Sequence, residues 1–262
     1  MREKLRAAAS LTCIGMLVER IAIFAALRWE CGPILRHLRR VEPGCVAQCA
    51  FWRGEAPGRE IWLIKTAMGE QHTAAAGQVL EEAGRLDLLL STGCAGALSP
   101  ELVSGDLAIA TAVIGNATGD RYETDPVHRE RVCVAAQHAA LRAVVGPVLS
   151  SPRVLASVAA KQAAAVSTGA VAVEMEGAAI GALAQRTGVP FASVRAILDT
   201  ATTELPESGD FVDPGTGTVK LLGVMRHLAR QPATLSQLVA LQRMMTAAQR
   251  SLERFFAVWL AS

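Results

Sequence analysis

Short apolar runs alternate with alanine-rich segments along most of this chain, and this alternation is what most constrains its fold. Ile21–Ala26 is apolar throughout, which is typical of a strand buried on both faces of a sheet. Glu70–Ala83 is rich in alanine and is followed by Gly84, as expected of a helix and its end. The alternation predicts an α/β fold, with helices flanking one central, mostly parallel or mixed sheet.

The predicted elements follow one another without an internal repeat or a linker. The predicted strands are Ile21–Ala26, Cys45–Trp52, Ile61–Thr66, Asp87–Ser91, Asp106–Ile114, Val171–Glu174 and Phe191–Leu198. The predicted helices are Arg28–Arg39, Glu70–Ala83, Arg129–Val144, Met175–Arg186 and Val219–Arg230. Ligands of such sheets bind beyond the carboxyl ends of the strands, so polar residues that follow the strands are the candidates for a site.

Composition excludes several classes of protein. Of 262 residues, 51% are hydrophobic and 19% are charged, which a disordered chain would not show. The net charge of +2 lacks the basic excess of a generic nucleic-acid binder. No run reaches the roughly 18 apolar residues of a membrane span. The six cysteines form no C-x-x-C pair and no zinc-like spacing, so we expect free thiols in a cytoplasmic protein without a metal site.

Four polar segments follow apolar strands, and each has a structural and a functional interpretation. Asp199 could cap a loop or act as a general acid. Glu174 and Glu176 could favour a helix N-terminus or bind two vicinal hydroxyls. The glycine-rich run Thr92–Gly96 could be a tight turn or could let a ligand approach the backbone. Glu30, taken alone, is most often a solvated helix residue.

The order and joint spacing of these segments carry a resemblance. The segments are Ile21–Glu30, Leu88–Leu98 with Gly105-Asp106 downstream, Val173–Gly177 and Val194–Asp199. Together they resemble the superfamily of purine nucleoside phosphorylases and methylthioadenosine/S-adenosylhomocysteine nucleosidases, over about residues 20 to 230. The resemblance implies a three-layer α/β fold, a homo-oligomer and no cofactor, with inorganic phosphate as co-substrate in the phosphorylases. Within the superfamily the chain is most similar to the hopanoid-associated phosphorylase branch, which implies release of adenine from adenosylhopane.

The resemblance also implies roles for individual residues. Asp199 would protonate N7 of the purine, and Glu30 would activate water. Glu176 would hold the ribose 2′- and 3′-hydroxyls beside the backbone of Met175. The other residues that would line the substrate site are Cys94, Ala95, Gly96 and Glu174.

The nucleophile is either water or phosphate. Hexameric phosphorylases carry an arginine where this chain has Ser91, and Glu30 stands at the position of the nucleosidase acid, so both positions favour water. Arg28 lies beside the same predicted pocket and is a candidate for binding phosphate. The region Leu149–Ala156, which commonly supplies an aromatic residue that stacks on the base, contains none here.

The ends of the chain are predicted to lie outside the catalytic domain at residues 21–230. Residues 1–20 form a loose N-terminal extension. Within the domain, Thr202–Gly217 is a solvated loop or a mobile lid. Residues 231–262 form an amphipathic helix whose arginines Arg243, Arg250 and Arg254 fall off its apolar stripe. The stripe comprises Leu238, Leu241, Met245, Ala248, Leu252, Phe255 and Trp259. It would pack on the domain or another subunit, or lie on an anionic membrane surface.

The leading hypothesis is therefore an enzyme that cleaves a purine N-glycosidic bond. A non-catalytic nucleoside-binding protein with the same fold is the alternative from a different class. A membrane-associated scaffold built around the terminal helix is a third, but it leaves the four segments unexplained.

Overall fold

A computed structural model describes residues 18–46, 49–66, 73–115, 119–205 and 234–262. Its strands are β1 Glu19–Ala25, β2 Arg39–Val46, β3 Cys49–Ala56, β4 Arg59–Lys65, β5 Leu88–Ala97, β6 Leu107–Gly115, β7 Arg121–Glu123, β8 Ala143–Ser150, β9 Ala172–Glu174 and β10 Phe191–Ile197. Its helices are α1 Arg28–Leu35, α2 Thr73–Ala83, α3 Pro126–His138, α4 Val158–Thr168, α5 Gly177–Thr187 and α6 Thr234–Trp259.

All ten of these strands join one mixed sheet, in the order β10-β6-β8-β9-β5-β1-β4-β3-β2, with β7 paired to β6. β5 also pairs with β10, so β5, β10, β6, β8 and β9 close into a ring. β1 pairs in parallel with β4 and β5, and β10 pairs in parallel with β5. The carboxyl ends of β1, β5 and β10 therefore lie at the same edge of the sheet, where we expected the site.

Helices cover both faces of the sheet, which confirms the α/β fold class. On one face, side chains of α1, α3 and α6 pack with Ile21 and Ile23 of β1. On the other face, side chains of α2 and α5 pack with Ala22 and Phe24. β1 alternates between two apolar cores, and this burial on both faces explains its uninterrupted apolar sequence.

Several predicted boundaries were wrong. The single strand predicted at Cys45–Trp52 is the meeting point of β2 and β3, which pair as antiparallel neighbours. The helix predicted to continue to Arg39 ends at Leu35, and Arg39 begins β2. The helix predicted at Arg129–Val144 spans Pro126–His138 and is followed by Ala140 at a left-handed φ of 51° and then by β8.

The glycine-rich run also differs from its prediction. It is not a turn after a short strand, because β5 continues to Ala97. Gly96 and Ala97 pair with β9, while Gly93 to Ala95 pair with β10. Sheet pairing on both sides holds the small residues extended. The elements β8 and α4 were not predicted, and the helix predicted at Val219–Arg230 lies outside the described residues.

The terminal helix α6 packs on the domain. Ala248, Leu252, Phe255 and Trp259 of the predicted stripe are buried with the side chains of α1 and α3. The Arg254 guanidinium donates to the carbonyl of Ala139 at the end of α3. Packing on the domain is therefore observed from Ala248 onwards, and these apolar residues are not available to a membrane. None of the described helices is long and apolar enough to span a bilayer.

Candidate active site

Asp199 directly follows β10 and lies against the glycine-rich part of β5. The Leu198 N–H donates to the carbonyl of Ala95 at 2.8 Å, and the Ala97 N–H donates to the carbonyl of Asp199 at 2.8 Å. These two bonds flank Gly96, where an added Cβ would stand 3.1 Å from Asp199 Oδ2. The absent side chain at Gly96 leaves the space in which the carboxyl lies. Asp199 is only 3% exposed.

Lys161 of α4 reaches Asp199 from the other side and was not predicted. Its Nζ donates to Asp199 Oδ2 and to the carbonyls of Thr200 at 2.9 Å and Thr203 at 2.8 Å. Burial raises the pKa of Asp199 above its ordinary value, although the hydrogen bond and charge of Lys161 oppose that shift. The raised pKa favours the protonated form that a general acid needs.

Glu30 is buried, contrary to the interpretation of a solvated helix residue. Its Oε2 accepts from the backbone N–H of Ala26 at 3.1 Å and of Leu27 at 2.9 Å, so it closes the first turn of α1. Its Oε1 accepts from the N–H of Cys94 at 2.9 Å and so ties α1 to β5. Burial raises the pKa of Glu30, although these bonds and the charge of Arg195 act in the opposite direction.

Gly93 makes room for Glu30 as Gly96 does for Asp199. A Cβ on Gly93 would stand 2.8 Å from Glu30 Oε1 and 3.0 Å from a terminal nitrogen of Arg195, and its φ of +136° favours glycine. A strand rises about 3.3 Å per residue, so the two glycines place the carboxyls at points about 10 Å apart along β5.

Arg195 is a buried cation at the centre of the site and was not predicted as a site residue. It donates to Ser91 Oγ at 2.6 Å, to the carbonyl of Thr92 at 2.8 Å and to Glu174 Oε2. The terminal nitrogen that donates to Thr92 also lies 3.9 Å from Glu176 Oε2. Ser91, predicted only as the substitute for a phosphate-binding arginine, is thus a fully buried partner of Arg195.

Glu174 and Glu176 have different surroundings. Glu174 Oε2 accepts from the N–H of Glu176 at 3.0 Å and of Gly177 at 2.8 Å, and its side chain has no exposed area. The predicted contact of Glu174 with substrate stays a prediction. In the structure Glu174 holds the turn that places Glu176 at the start of α5. Glu176 is 8% exposed.

The other predicted site residues lie around these carboxylates. Cys94 and Gly96 are partly exposed on β5, Ala95 is buried, and Met175 is partly exposed between β9 and α5. Burial, with Glu30 nearby, raises the pKa of Cys94 well above its ordinary value, so its thiol is neutral. Arg28 begins α1 and is exposed. Its predicted phosphate contact stays a prediction.

The site holds more buried acids than bases. Among the described residues its buried carboxyls are Glu30, Glu174, Glu176 and Asp199, and its buried cations are Lys161 and Arg195. Both cations bond to carboxylates. No group of three His, Cys, Asp or Glu within the described ranges could hold a metal ion.

Lys161 and Arg195 differ in how visible they were in the sequence. Arg195 interrupts an apolar strand, and a charge at a buried strand position signals a buried partner. Lys161 stands in the alanine-rich segment that became α4 and is 38 residues from Asp199. Only the tertiary fold brings Lys161 and Asp199 together.

Two buried carboxyls, Glu30 and Asp199, thus lie against a small-residue strand at the edge of an α/β sheet where ligands bind. Residues 20–222 match the model of the Phosphorylase superfamily, and the chain belongs to that family.

Relatives and solved structures agree with this assignment. The chain is 30% identical over 200 residues to a 5′-methylthioadenosine/S-adenosylhomocysteine nucleosidase of Staphylococcus aureus, covering 70% of this chain and 88% of that protein. The S-adenosylhomocysteine nucleosidase structure of Streptococcus pyogenes matches with a TM-score of 0.74 and 20% identity, over 93% of this chain and 96% of the other. The 5′-methylthioadenosine/S-adenosylhomocysteine nucleosidase of Neisseria meningitidis, in complex with methylthio-immucillin-A, has a TM-score of 0.74 and 18% identity, over 93% and 99%.

Proposed function

We propose that this protein hydrolyses the N-glycosidic bond of an adenosine-type nucleoside and releases adenine. The observation that carries this proposal is the placement of two buried carboxyls, Glu30 at Gly93 and Asp199 at Gly96, on one strand of the sheet. Cleavage of a glycosidic bond through an oxocarbenium-like transition state uses two carboxyl groups in separate roles.

Asp199 is the proposed general acid. Its carboxyl would donate a proton to N7 of the purine, so that the protonated base takes the electron pair of the C1′–N9 bond and leaves as neutral adenine. Burial raises the pKa of this carboxyl, in the direction that a general acid needs. The backbone bonds on both sides of Gly96 hold the carboxyl in one place.

Glu30 is the proposed general base for water. A carboxylate offers about four lone-pair positions, and three backbone N–H groups occupy three of them, two on Oε2 and one on Oε1. The remaining position on Oε1 can accept a proton from a water molecule directed at C1′. A raised pKa makes the Glu30 carboxylate a stronger base.

Glu176 is the proposed ribose ligand. One carboxylate can accept hydrogen bonds from the 2′- and 3′-hydroxyls at once. Glu174 and Arg195 would set its position, since Glu174 accepts from its N–H and Arg195 lies 3.9 Å from its carboxylate.

The charges of the site favour water over phosphate. A phosphate dianion needs cations that are free to pair with it. Lys161 and Arg195 are bonded to Asp199 and Glu174, and the site has four buried carboxyls against these two cations. Binding a dianion beside Glu30 would add repulsion. Phosphorolysis would therefore depend on the exposed Arg28.

We propose adenosylhopane as the substrate, on the resemblance of the chain to the hopanoid-associated branch. The competing substrates are 5′-methylthioadenosine and S-adenosylhomocysteine, which appear in the names of the relatives. The three differ only in the group on C5′. A cytoplasmic homo-oligomer, with membrane contact restricted to the part of α6 before Ala248, is part of the same proposal.

A substrate panel tests this function. Adenine release is measured with adenosine, 5′-methylthioadenosine, S-adenosylhomocysteine and adenosylhopane, each with and without phosphate. Hydrolysis predicts equal rates in both buffers, and the branch predicts the highest kcat/KM for adenosylhopane. Asp199→Asn is the matched control, because it keeps an oxygen for Lys161 but has no proton to donate. If that variant retained full activity, or no substrate released adenine, the proposed function would be wrong.

A further inference from the structure

Lys161 is 1% exposed, so its ammonium group lies out of contact with solvent. An ammonium group has three N–H bonds, and Lys161 directs its Nζ at three acceptors: Asp199 Oδ2 and the carbonyls of Thr200 and Thr203. A neutral amine could donate only two. The three acceptors therefore indicate a charged ammonium with no donor left for a ligand.

The same contacts divide the two oxygens of Asp199 between different tasks. Oδ2 is held by Lys161, so Oδ1 is the oxygen that would donate to a ligand. When that oxygen gives up its proton, the new carboxylate charge forms next to a cation that is already in place. A preorganised charge aimed at a developing opposite charge stabilises the transition state without reorganisation.

We infer that Lys161 is a positioning residue that fixes Asp199 and stabilises the carboxylate which Asp199 becomes on protonating the purine. The step is balanced: the Asp199 proton moves to N7, the C1′–N9 electron pair goes to adenine, and water adds to C1′ as its proton goes to Glu30. Lys161 keeps all three of its protons throughout. This inference rests on the proposed function and adds to it a residue that acts through Asp199 alone.

The other groups around Asp199 give it no second cation within the described residues. Cys94 faces it from β5, and Glu30, Glu176 and Arg195 lie around that thiol. Glu204, on the loop after Asp199, is exposed. Arg195 is bonded to Glu174 and Ser91. Loss of the Lys161 charge would leave burial opposed only by a hydrogen bond from the backbone N–H of Asp199, so the pKa of Asp199 would rise further.

The experiment compares pH profiles of kcat and kcat/KM for adenine release by the wild type, Lys161→Met and Lys161→Gln. Both variants remove the charge, and Lys161→Gln retains a hydrogen-bond donor if Lys161→Met fails to fold. We expect the alkaline limb to move to higher pH and KM to stay nearly unchanged. We expect kcat to fall about 10- to 100-fold, which is part of the roughly 10²–10⁴-fold that general acid catalysis contributes. Lys161→Arg, which keeps the charge, should retain the wild-type alkaline limb.

A double variant separates this role from a purely structural one. If Lys161 acts through Asp199, Asp199→Asn with Lys161→Gln should have the same kcat as Asp199→Asn alone. A further multiplicative loss in the double variant, or an unmoved alkaline limb in the single variants, would overturn the inference. Both results presuppose an active wild type and an impaired Asp199→Asn enzyme. If either condition is absent, it is the proposed function that fails.

Discussion

Asp199 lies against Gly96, so closely that a Cβ on the glycine would stand 3.1 Å from Asp199 Oδ2 and 3.2 Å from Oδ1. Backbone hydrogen bonds on either side of this contact join the end of β10 to β5. The position of the proposed general acid therefore depends on a missing side chain in the neighbouring strand. Gly93 has the same relationship to Glu30.

Gly96→Ala is expected to impair catalysis more than folding. The new methyl group would push on the Asp199 carboxyl, and misplacement of a reacting group by about 1 Å can cost on the order of 10²-fold in rate. The measurement is kcat for adenine release, together with thermal unfolding. Gly77→Ala is the control, because nothing lies within 4 Å of its Cβ position and it lies within α2. It should keep full activity and gain about 0.5–1 kcal/mol of stability.

Glu30→Gln is expected to lose both activity and stability. Glutamine presents one oxygen where the carboxylate accepts from three backbone N–H groups, so at least one buried N–H loses its acceptor. That loss costs about 1–3 kcal/mol. Removal of the general base should lower kcat by about 10²–10⁴-fold. Chemical denaturation and steady-state kinetics measure the two effects, and an unchanged kcat would contradict the role of Glu30.

The pH dependence of kcat/KM is expected to be bell-shaped, with its acid limb above the usual range for a glutamate. Glu30 must be ionised to act as a base, and burial raises its pKa. Asp199 must be protonated, and its raised pKa sets the alkaline limb. Residual turnover by Glu30→Gln should show no acid limb. An acid limb that is unmoved in this variant would assign that titration to another group.

The raised pKa of Glu30 also affects folding. The folded state binds this proton more tightly than the unfolded state, so the stability that protonation contributes is fully present below the unfolded pKa. It is lost as the pH rises through the folded pKa. Unfolding free energies measured across this range should show that loss in the wild type and not in Glu30→Gln.

Phe255→Ala is expected to destabilise the whole domain. Phe255 has no exposed area and packs between Phe256 and Trp259 in the core that α6 shares with α1 and α3. Truncation of a buried phenylalanine costs about 3–5 kcal/mol. Val239→Ala on the same helix is the control, because Val239 is 41% exposed and should cost under about 0.5 kcal/mol. Equal unfolding midpoints would contradict the packing of α6.

The sheet, and the four segments that come together at its edge, could be predicted because each strand shows in the local pattern of apolar residues. A strand buried on both faces must be apolar throughout, and the carboxyl ends of β1, β5 and β10 meet because these strands pair in parallel. Asp199, Glu30 and Glu176 were candidates because they follow strands, and their expected roles came from the resemblance to the family. The error at Thr92–Gly96 arose because small residues are typical of turns, while here pairing to β9 and β10 keeps them in a strand.

The remaining features depend on contacts between distant segments. Glu174 and Glu176 are two residues apart and looked equivalent, but Glu174 accepts hydrogen bonds from the N–H of Gly177 at the start of α5 and from Arg195. Lys161 looked like any lysine of an alanine-rich helix. Its contacts with Asp199, Thr200 and Thr203 depend on α4 packing over the loop after Asp199, which no local pattern in the sequence indicates.

The central claim is that water, activated by Glu30, takes the place of the purine on C1′. Turnover of an adenosine-type substrate in ¹⁸O-labelled water, with phosphate present, measures this most directly through mass spectrometry of the ribosyl product. Hydrolysis predicts a free sugar with ¹⁸O on C1′. The labelled fraction should exceed the fraction that an unlabelled sugar reaches by exchange in the same time. An unlabelled ribosyl phosphate as the product would contradict it.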